Sequence, residues 1–182
     1  MAYFLEQDDI FLREVSVDDV NEKYYQWLND PEINRFLETR FVPQSVSNIR
    51  TFVESKDGNS AEVFFAICDK STKEHIGNIK LGPINWVHRF ADISLLVGDK
   101  KYWGKGVGSK AIGLVTEFGF KTLNLHKLRA GCYADNIGSI KAFEKNGFSQ
   151  EGCLKNQWYS NGNYMDQIWL GLLIEDYKDQ SE

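Results

Sequence analysis

Long apolar runs are missing from the 182-residue sequence: no stretch approaches the roughly 20 apolar residues of a membrane-spanning helix. Cysteine is scarce. Cys68, Cys132 and Cys153 lie far apart, with no C-x-x-C and no nearby paired histidines. An odd, scattered set of this kind reads as reduced thiols rather than a disulfide framework. Basic charge is also short, with 21 Lys and Arg against 26 Asp and Glu and a formal net charge of -5. Binding a nucleic-acid backbone works by counterion release and needs a clustered basic face, so a nucleic-acid partner is not expected. A negative balance sits more easily with cationic or neutral substrates. The opening MAYFLEQDDIFLREV has acidic residues where a secretory signal needs a basic segment and an apolar run. The expectation is a cytoplasmic protein with no membrane partner. Repeats, low-complexity tracts and linkers are absent as well.

What is present suits an ordinary globule: 42% hydrophobic, 26% charged and a rather high 14% aromatic residues. A chain this long buries about 70% of its unfolded surface and needs no staple. One domain over 1–182 is expected. Ile10 to Val15 reads as a first strand. SVDDVNEKYYQWLND then places Val17, Val20, Tyr24, Trp27 and Leu28 on one helical stripe, with acidic residues in the first turn and Pro31 past the end. A second helix is predicted over Val46 to Glu54, with Val46, Ile49 and Val53 inward. AEVFFAIC, HIGNIKLGPI and RFADISLLV are strand-like runs separated by turn chemistry. Residues 105 to 121 form a helix with Val107, Ala111, Leu114, Val115 and Phe118 on one face. KLRAGCY is a strand, and NIGSIKAFEKNGF a short helix capped by Asn136 and stopped by Gly147. The last segment is a hairpin about Asn161-Gly162. Helix-linked strands in the second half imply a parallel pair. The fold class is therefore α/β, with a single mixed, mostly antiparallel central sheet and helices on both faces.

YWGKGVGSKAIGLV, residues 102 to 115, sets a glycine-rich, lysine-bearing turn before a helix. A P-loop fails, because five residues separate Gly98 from Gly104-Lys105 and Gly106 stands where the magnesium-binding hydroxyl belongs. The dinucleotide fingerprint fails too, because Gly104 to Gly108 runs G-x-G-x-G and no acidic ribose partner follows. A strand, a short turn with exposed N–H groups and a helix N-terminus remain sufficient for a pyrophosphate without a metal. Coenzyme A carries such a group. The plainer reading is a helix start with glycine for tight packing.

The later helix favours the anion. The turn Trp103-Gly104-Lys105-Gly106-Val107-Gly108, followed by a helix with Asn136, Ser139, Phe143, Glu144, Lys145, Gly147 and Phe148, resembles the GCN5-related N-acetyltransferase (GNAT) family. The family's turn is commonly [RQ]-x-x-G-x-[GA], and its helix reads N-x-x-[SA]-x-x-x-[YF]-E-K-x-G-F. The likeness runs from about Leu12 to Leu173. Trp103 replaces the usual Arg or Gln, and the YWGKG form looks like the branch with ribosomal-protein N-terminal acetyltransferases. The resemblance implies acetyl-CoA as cosubstrate, direct transfer to an amine and no metal. It implies that Leu96 and Val97 flank the pantetheine arm on a strand that splays from the next. The N–H groups of Trp103, Gly104, Lys105, Gly106, Val107 and Gly108 take the pyrophosphate, and Asn136 bonds the pantetheine.

Acyl transfer from a thioester needs a neutral amine, a polarised carbonyl and a proton for the leaving sulfur. Phe143 lacks the tyrosine hydroxyl common in the family, and the resemblance puts Ser139 forward as the acid, against a serine that only bonds its own helix or the cofactor. For the base, Asp92 matches an acidic position of the related branch, and His88 has the right intrinsic proton affinity; both also fit ordinary solvated or structural roles. An amine of pKa ~8 is about one-tenth neutral at pH 7, whereas one of pKa ~10.4 is neutral about once in 2,500, so the absence of an obvious paired base leans toward the more acidic amines. The loops resemble acetyltransferases of amino-sugar nucleotide pathways. Arg40, His88 and Arg89 would then meet nucleotide phosphates, and Trp27, Trp86 or Trp158 would stack on a base or sugar, unless these tryptophans only pack. The expected acceptor is an amino-sugar nucleotide. Alternatives are a protein N-terminal amine, or a polyamine at an acidic lip of Glu32 and Glu38. An acyl-CoA-binding sensor without chemistry is the non-enzymatic alternative, and a homodimer stays open.

Overall fold

The computed structural model of the chain describes residues 3–160 and 162–178. Among the described residues eight strands and four α-helices follow in the order β1 (Leu5–Gln7), β2 (Ile10–Glu14), α1 (Glu22–Asn29), α2 (Val46–Glu54), β3 (Val63–Asp69), β4 (His75–Asn85), β5 (Phe90–Val97), α3 (Val107–Glu117), β6 (Lys127–Tyr133), α4 (Ile137–Glu144), β7 (Ser149–Ser160) and β8 (Asn163–Leu173). The strands form one mixed sheet in the order β1-β2-β3-β4-β5-β6-β8-β7. The pair β5–β6 is parallel, whereas β1–β2, β2–β3, β6–β8 and β7–β8 are antiparallel. This is the α/β class expected from the order of elements. Among the described residues no helix is long and apolar enough to cross a membrane.

The described residues fall into two compact units. The first draws on the described residues up to Lys80 and on Leu95–Val107, the second on Leu81–Ser94 and on the described residues from Gly108 onward. In the first, Phe11, Val15, Val20, Tyr24, Trp27, Ile49, Val53, Ala66 and Cys68 form one core cluster. The expected single helix after β2 is corrected to a short 3-10 turn, Val17–Asp19, followed by α1. Asp19 turns back to accept from the Ser16 N–H at 2.8 Å, and it also pairs with Arg13. Asn21 then caps a fresh helix by accepting from the Tyr24 N–H. The predicted stripe survives the break, since Val20, Tyr24 and Trp27 are buried. Helix α2 has the predicted limits, but Val46 at its first position is exposed rather than inward. Strand β1 was not expected; three residues are too few to show a period.

In the second unit, α3 buries Ala111, Ile112, Val115 and the Phe118 that follows, while β6 and β8 bury Leu128, Ala130, Leu170 and Leu172. The helix begins at Val107 rather than 105, because Gly104 and Gly106 take φ of 71° and 80°, outside the helical region. It ends in a wider π-turn over Phe118–Thr122. Asn136 caps α4 as predicted by accepting from the Ser139 N–H, and Gly147 stops the segment at φ 87°. The β7–β8 hairpin closes with Ser160 opposite Asn163. Of the predicted Asn161-Gly162 turn, Asn161 lies outside the described residues, and Gly162 has φ 87°.

One buried polar network runs through the first core. Arg13 donates to both carboxylate oxygens of Asp19 at 2.7 and 2.6 Å. The His75 ring lies edge-on to Trp27 and Tyr24, with centroids at 5.0 and 5.7 Å. Its Nε2 is 2.8 Å from Asn78 Oδ1, and its Nδ1 is 3.7 Å from Asp19 Oδ1. Burial lowers the His75 pKa below its ordinary 6.5, and the nearby Asp19 charge offsets only part of that. The folded protein therefore holds His75 neutral, while the unfolded chain takes up a proton as pH falls through about 6.5. Stability from this group is present above that pH and lost below it. The melting temperature is expected to drop between pH 7 and pH 5, with a smaller drop in His75→Gln; equal slopes for the two proteins would contradict this assignment.

Candidate active site

The glycine turn is held by its own preceding residues. Lys100 Nζ pairs with Asp30 Oδ2 at 2.8 Å and Glu32 Oε2 at 2.5 Å. Lys101 Nζ pairs with Glu74 Oε2 at 2.9 Å and Asp99 Oδ2 at 3.4 Å. The Tyr102 hydroxyl donates to Asp69 Oδ2 at 3.1 Å, and the Trp103 indole N–H donates to the Val97 carbonyl at 2.7 Å. The lysine pairs are exposed and individually weak. The other two are better anchors. Bonds from the Ser71 hydroxyl and the Thr72 N–H hold Asp69 well below the usual carboxylate range, so Tyr102 meets an ionised acceptor. The strand end is fixed as well, because the Gly98 and Asp99 N–H groups both donate to the Ile76 carbonyl.

Beyond these anchors the chain opens outward. A Cβ built at Gly104 or Gly106 meets no heavy atom within 4 Å, so the main chain there is bare to an approaching ligand. The first-turn amides of α3, from Val107 onward, have no acceptor inside their own helix. Two of the six predicted phosphate donors are corrected. The Trp103 N–H donates to the Lys100 carbonyl, and the Lys105 N–H to the Tyr102 carbonyl at 3.4 Å. They serve to build the turn. Gly104, Gly106, Val107 and Gly108 keep the geometry expected of a diphosphate cradle, and the residues present fit such a group.

Leu96 and Val97 are half-buried at the end of β5. Their strand is pressed close, since a Cβ at Gly77 would overlap the Leu96 carbonyl and one at Gly98 would overlap the Trp27 ring. Trp27 is only 3% exposed, so its expected role in stacking on a base or sugar is corrected to core packing over Gly98. Arg40 and Glu38 share a short 3-10 turn, Glu38–Phe41. The Arg40 guanidinium donates to the Leu37 carbonyl at 3.0 Å and covers the Phe41 ring at 4.3 Å. Glu38 lies 4.0 Å from it, with about half its side chain exposed. Glu32 is drawn to Lys100.

In the second unit, Asn136 and Ser139 open α4. The Ser139 hydroxyl lies 3.5 Å from Cys132 Sγ, whose thiol burial pushes upward and keeps protonated. Tyr133, at the end of β6, accepts from the Asn136 N–H and stacks on Trp158 at 5.6 Å. Phe143 is buried against Phe148 at 5.1 Å. Trp86 and His88 are exposed in the β4–β5 connection, with His88 parallel to Phe90 at 6.5 Å. Arg89, at φ 55°, gives its guanidinium to the Asn124 carbonyl and side chain at 2.8 and 3.0 Å. Its expected contact with a ligand phosphate is corrected to this tether. Asp92 Oδ1 accepts from Arg129 Nε at 2.8 Å and lies at the same distance from the ion-paired Nη2.

The β5–β6 ladder pairs only Phe90 with Lys127, Ala91 with Leu128 and Asp92 with Arg129. Both strands run on, to Val97 and Tyr133. Sequence patterning carried no sign of this stop, nor of Tyr102, Asp69 and Arg129, whose partners are distant in the chain. Among the described residues no group of three or more His, Cys, Asp and Glu is placed to hold a metal.

A mixed sheet whose parallel ladder stops short, with a bare glycine turn opening the helix after it, is what the resemblance to acetyl-CoA-dependent acyltransferases implied. The acetyltransferase (GNAT) domain family matches residues 9–149, and the chain belongs to that family. An uncharacterised N-acetyltransferase, YoaA of Bacillus subtilis, is 32% identical over 172 residues, covering 91% of this chain and 94% of the relative. Spermidine N(1)-acetyltransferase of Vibrio cholerae is 31% identical over 124 residues, covering 68% and 70%. The crystal structure of a spermidine N-acetyltransferase from Vibrio cholerae in complex with CoA and spermine matches with a TM-score of 0.84 at 25% identity, covering 94% of this chain and 99% of that one. The protein is an acetyl-CoA-dependent N-acetyltransferase.

Gly106→Asn tests the cradle, because asparagine tolerates the left-handed backbone better than other side chains yet fills the open space. It is expected to weaken CoA at least about tenfold in calorimetric titration, with little change in melting temperature. Unchanged CoA affinity in the folded variant would contradict a phosphate at this turn.

Proposed function

We propose that the enzyme acetylates a primary amine of a polyamine such as spermidine. The observation that carries this reading is the likeness to a spermidine acetyltransferase over nearly the whole of both chains. The net charge of -5 suits a polycationic acceptor. The amino-sugar nucleotide expectation lacks support: none of these relatives is named for such a substrate, and the guanidiniums of Arg40 and Arg89 are bound to protein carbonyls. Glu38, with half its side chain exposed, is a candidate for holding one ammonium group.

Acetyl-CoA supplies the activated thioester. The amides of Gly104, Gly106, Val107 and Gly108 hold its diphosphate, and the end of β5 with Leu96 and Val97 lies along the pantetheine. The Asn136 side-chain amide N–H donates to the same arm, while its oxygen caps α4. A main-chain N–H of β5 polarises the thioester carbonyl. As the amine nitrogen bonds to the carbonyl carbon and the carbon–sulfur bond breaks, Ser139 gives its hydroxyl proton to the sulfur. The proton lost by nitrogen passes through water to restore the serine. Asp92 is committed to Arg129, and His88 lies out on the β4–β5 connection stacked along Phe90, so the acceptor is taken already neutral.

Thiol release from acetyl-CoA, measured with spermidine, spermine, peptides with free N-termini and aminated sugar nucleotides, separates the readings. Release with the polyamines is expected, with kcat/KM rising about tenfold per pH unit from 7 to 9 as the neutral amine fraction grows. Release only with another acceptor would overturn the polyamine reading, and CoA binding without any release would make the protein a sensor. A plateau below pH 8 would reveal a protein base. In the same assay Ser139→Ala should lose at least about tenfold in kcat at nearly unchanged CoA affinity; the reverse pattern would make Ser139 a binding residue.

A further inference from the structure

The last rung of the parallel ladder is also the one bridged by charge. Asp92 stands opposite Arg129, and after that pair the two strands no longer match residue for residue. Arg129 Nε and Nη2 both reach Asp92 Oδ1 at 2.8 Å. The guanidinium lies over the Phe90 ring at 4.1 Å and 5.4 Å from the Trp169 ring centroid. Phe90 is two residues before Asp92 on the same face of β5, and Trp169 comes from β8. Four side chains from three strands therefore converge on one rung. The next residues on that face are Ser94 and Gly131, both exposed. Neither is long enough to bridge the strands, and a side chain at Gly131 would run into Gln167.

We propose that the Asp92–Arg129 pair is a clasp that fixes where β5 and β6 part, making both positioning residues for the pantetheine strand rather than parts of the proton-transfer machinery. The inference rests on the reading that β5 beyond Asp92 lies along the pantetheine. Each partner is about a third exposed, at 27% for Asp92 and 32% for Arg129, so the pair is partly desolvated. Removing one charge leaves the other half-buried without its counterion, which costs more than removing both. With the rung loosened, the main-chain amides of β5 lose their fixed direction. Asp92 cannot serve as a free base while its oxygen accepts the Nε–H of a guanidinium and is ion-paired with it.

Three variants test this: Asp92→Asn, Arg129→Gln and the double variant, in which two neutral side chains again hydrogen-bond across the rung. CoA affinity is read by calorimetry, and kcat by spermidine-dependent thiol release at saturating acetyl-CoA. Each single variant should weaken CoA about five- to tenfold with kcat within about threefold of the parent, and the double variant should return to within about threefold in both. A purely structural loss would lower the active fraction and leave the CoA affinity of the folded molecules unchanged, which would overturn the clasp. So would a drop in kcat of about a hundredfold shared by Asp92→Asn and the double variant but not by Arg129→Gln, because that pattern marks a base. Failure of the parent protein to bind CoA would strike the placement of the pantetheine on β5 instead. Binding without release by spermidine would strike the polyamine reading and leave the affinity test standing.

Discussion

The tie between the side chains of residues 100–103 and the backbone that follows them is the constraint on which the cofactor geometry rests. A glycine-rich turn is floppy by composition, because glycine loses more freedom on ordering than any other residue. An anion cradle works only if its amides already converge before the ligand arrives. Here Tyr102 is held by Asp69 and Trp103 by the Val97 carbonyl, while Lys100 and Lys101 add weaker charge pairs. The freedom that Gly104 and Gly106 need for positive φ is thus confined to a short segment between fixed ends. The amides of Trp103 and Lys105 close the turn, and those of Gly104, Gly106, Val107 and Gly108 are the ones proposed to bind.

The same economy governs the strand before the turn. Gly77 and Gly98 are needed because a methyl group at the first would overlap the Leu96 carbonyl of β5 and one at the second the Trp27 ring. Trp27 thereby links α1 to the end of β5. The buried His75, lying against the same ring, connects this packing to pH. In the second unit the parallel ladder ends at a charged rung, and the helix that follows β6 carries Asn136 and Ser139 at its first turn. Catalysis by direct transfer asks little more of the protein than position, a polarising amide and a proton for sulfur. That accords with a chain in which Asp92 is tied to Arg129 and the buried histidine belongs to a core.

The sequence carried the element order well where period and caps agreed. Helix α2, strand β6 and the Asn136 cap fall where spacing put them, because each is decided by local chemistry. The glycine turn and the N-x-x-S-x-x-x-F-E-K-x-G-F helix were legible as a pair for the same reason. What stayed hidden depends on partners far away in the chain. An aspartate at position 92 looks the same whether it is solvated or bound to Arg129, and a tryptophan at position 27 looks the same at a rim or beneath a glycine. Asp19 reads as one more first-turn acid, yet it accepts from the Ser16 N–H and pairs with Arg13, and the helix starts afresh at Asn21. The acceptor was least legible of all, because arginines at 40 and 89 that suit a phosphate suit a carbonyl equally well.

The most direct measurement is the amide proton–nitrogen spectrum of the labelled protein titrated with CoA. The peaks of Gly104, Gly106, Val107 and Gly108 should move downfield as their N–H groups take up phosphate oxygens. Those of Trp103 and Lys105, already bonded within the turn, should move much less. Saturable CoA binding that leaves the four peaks in place would contradict the account.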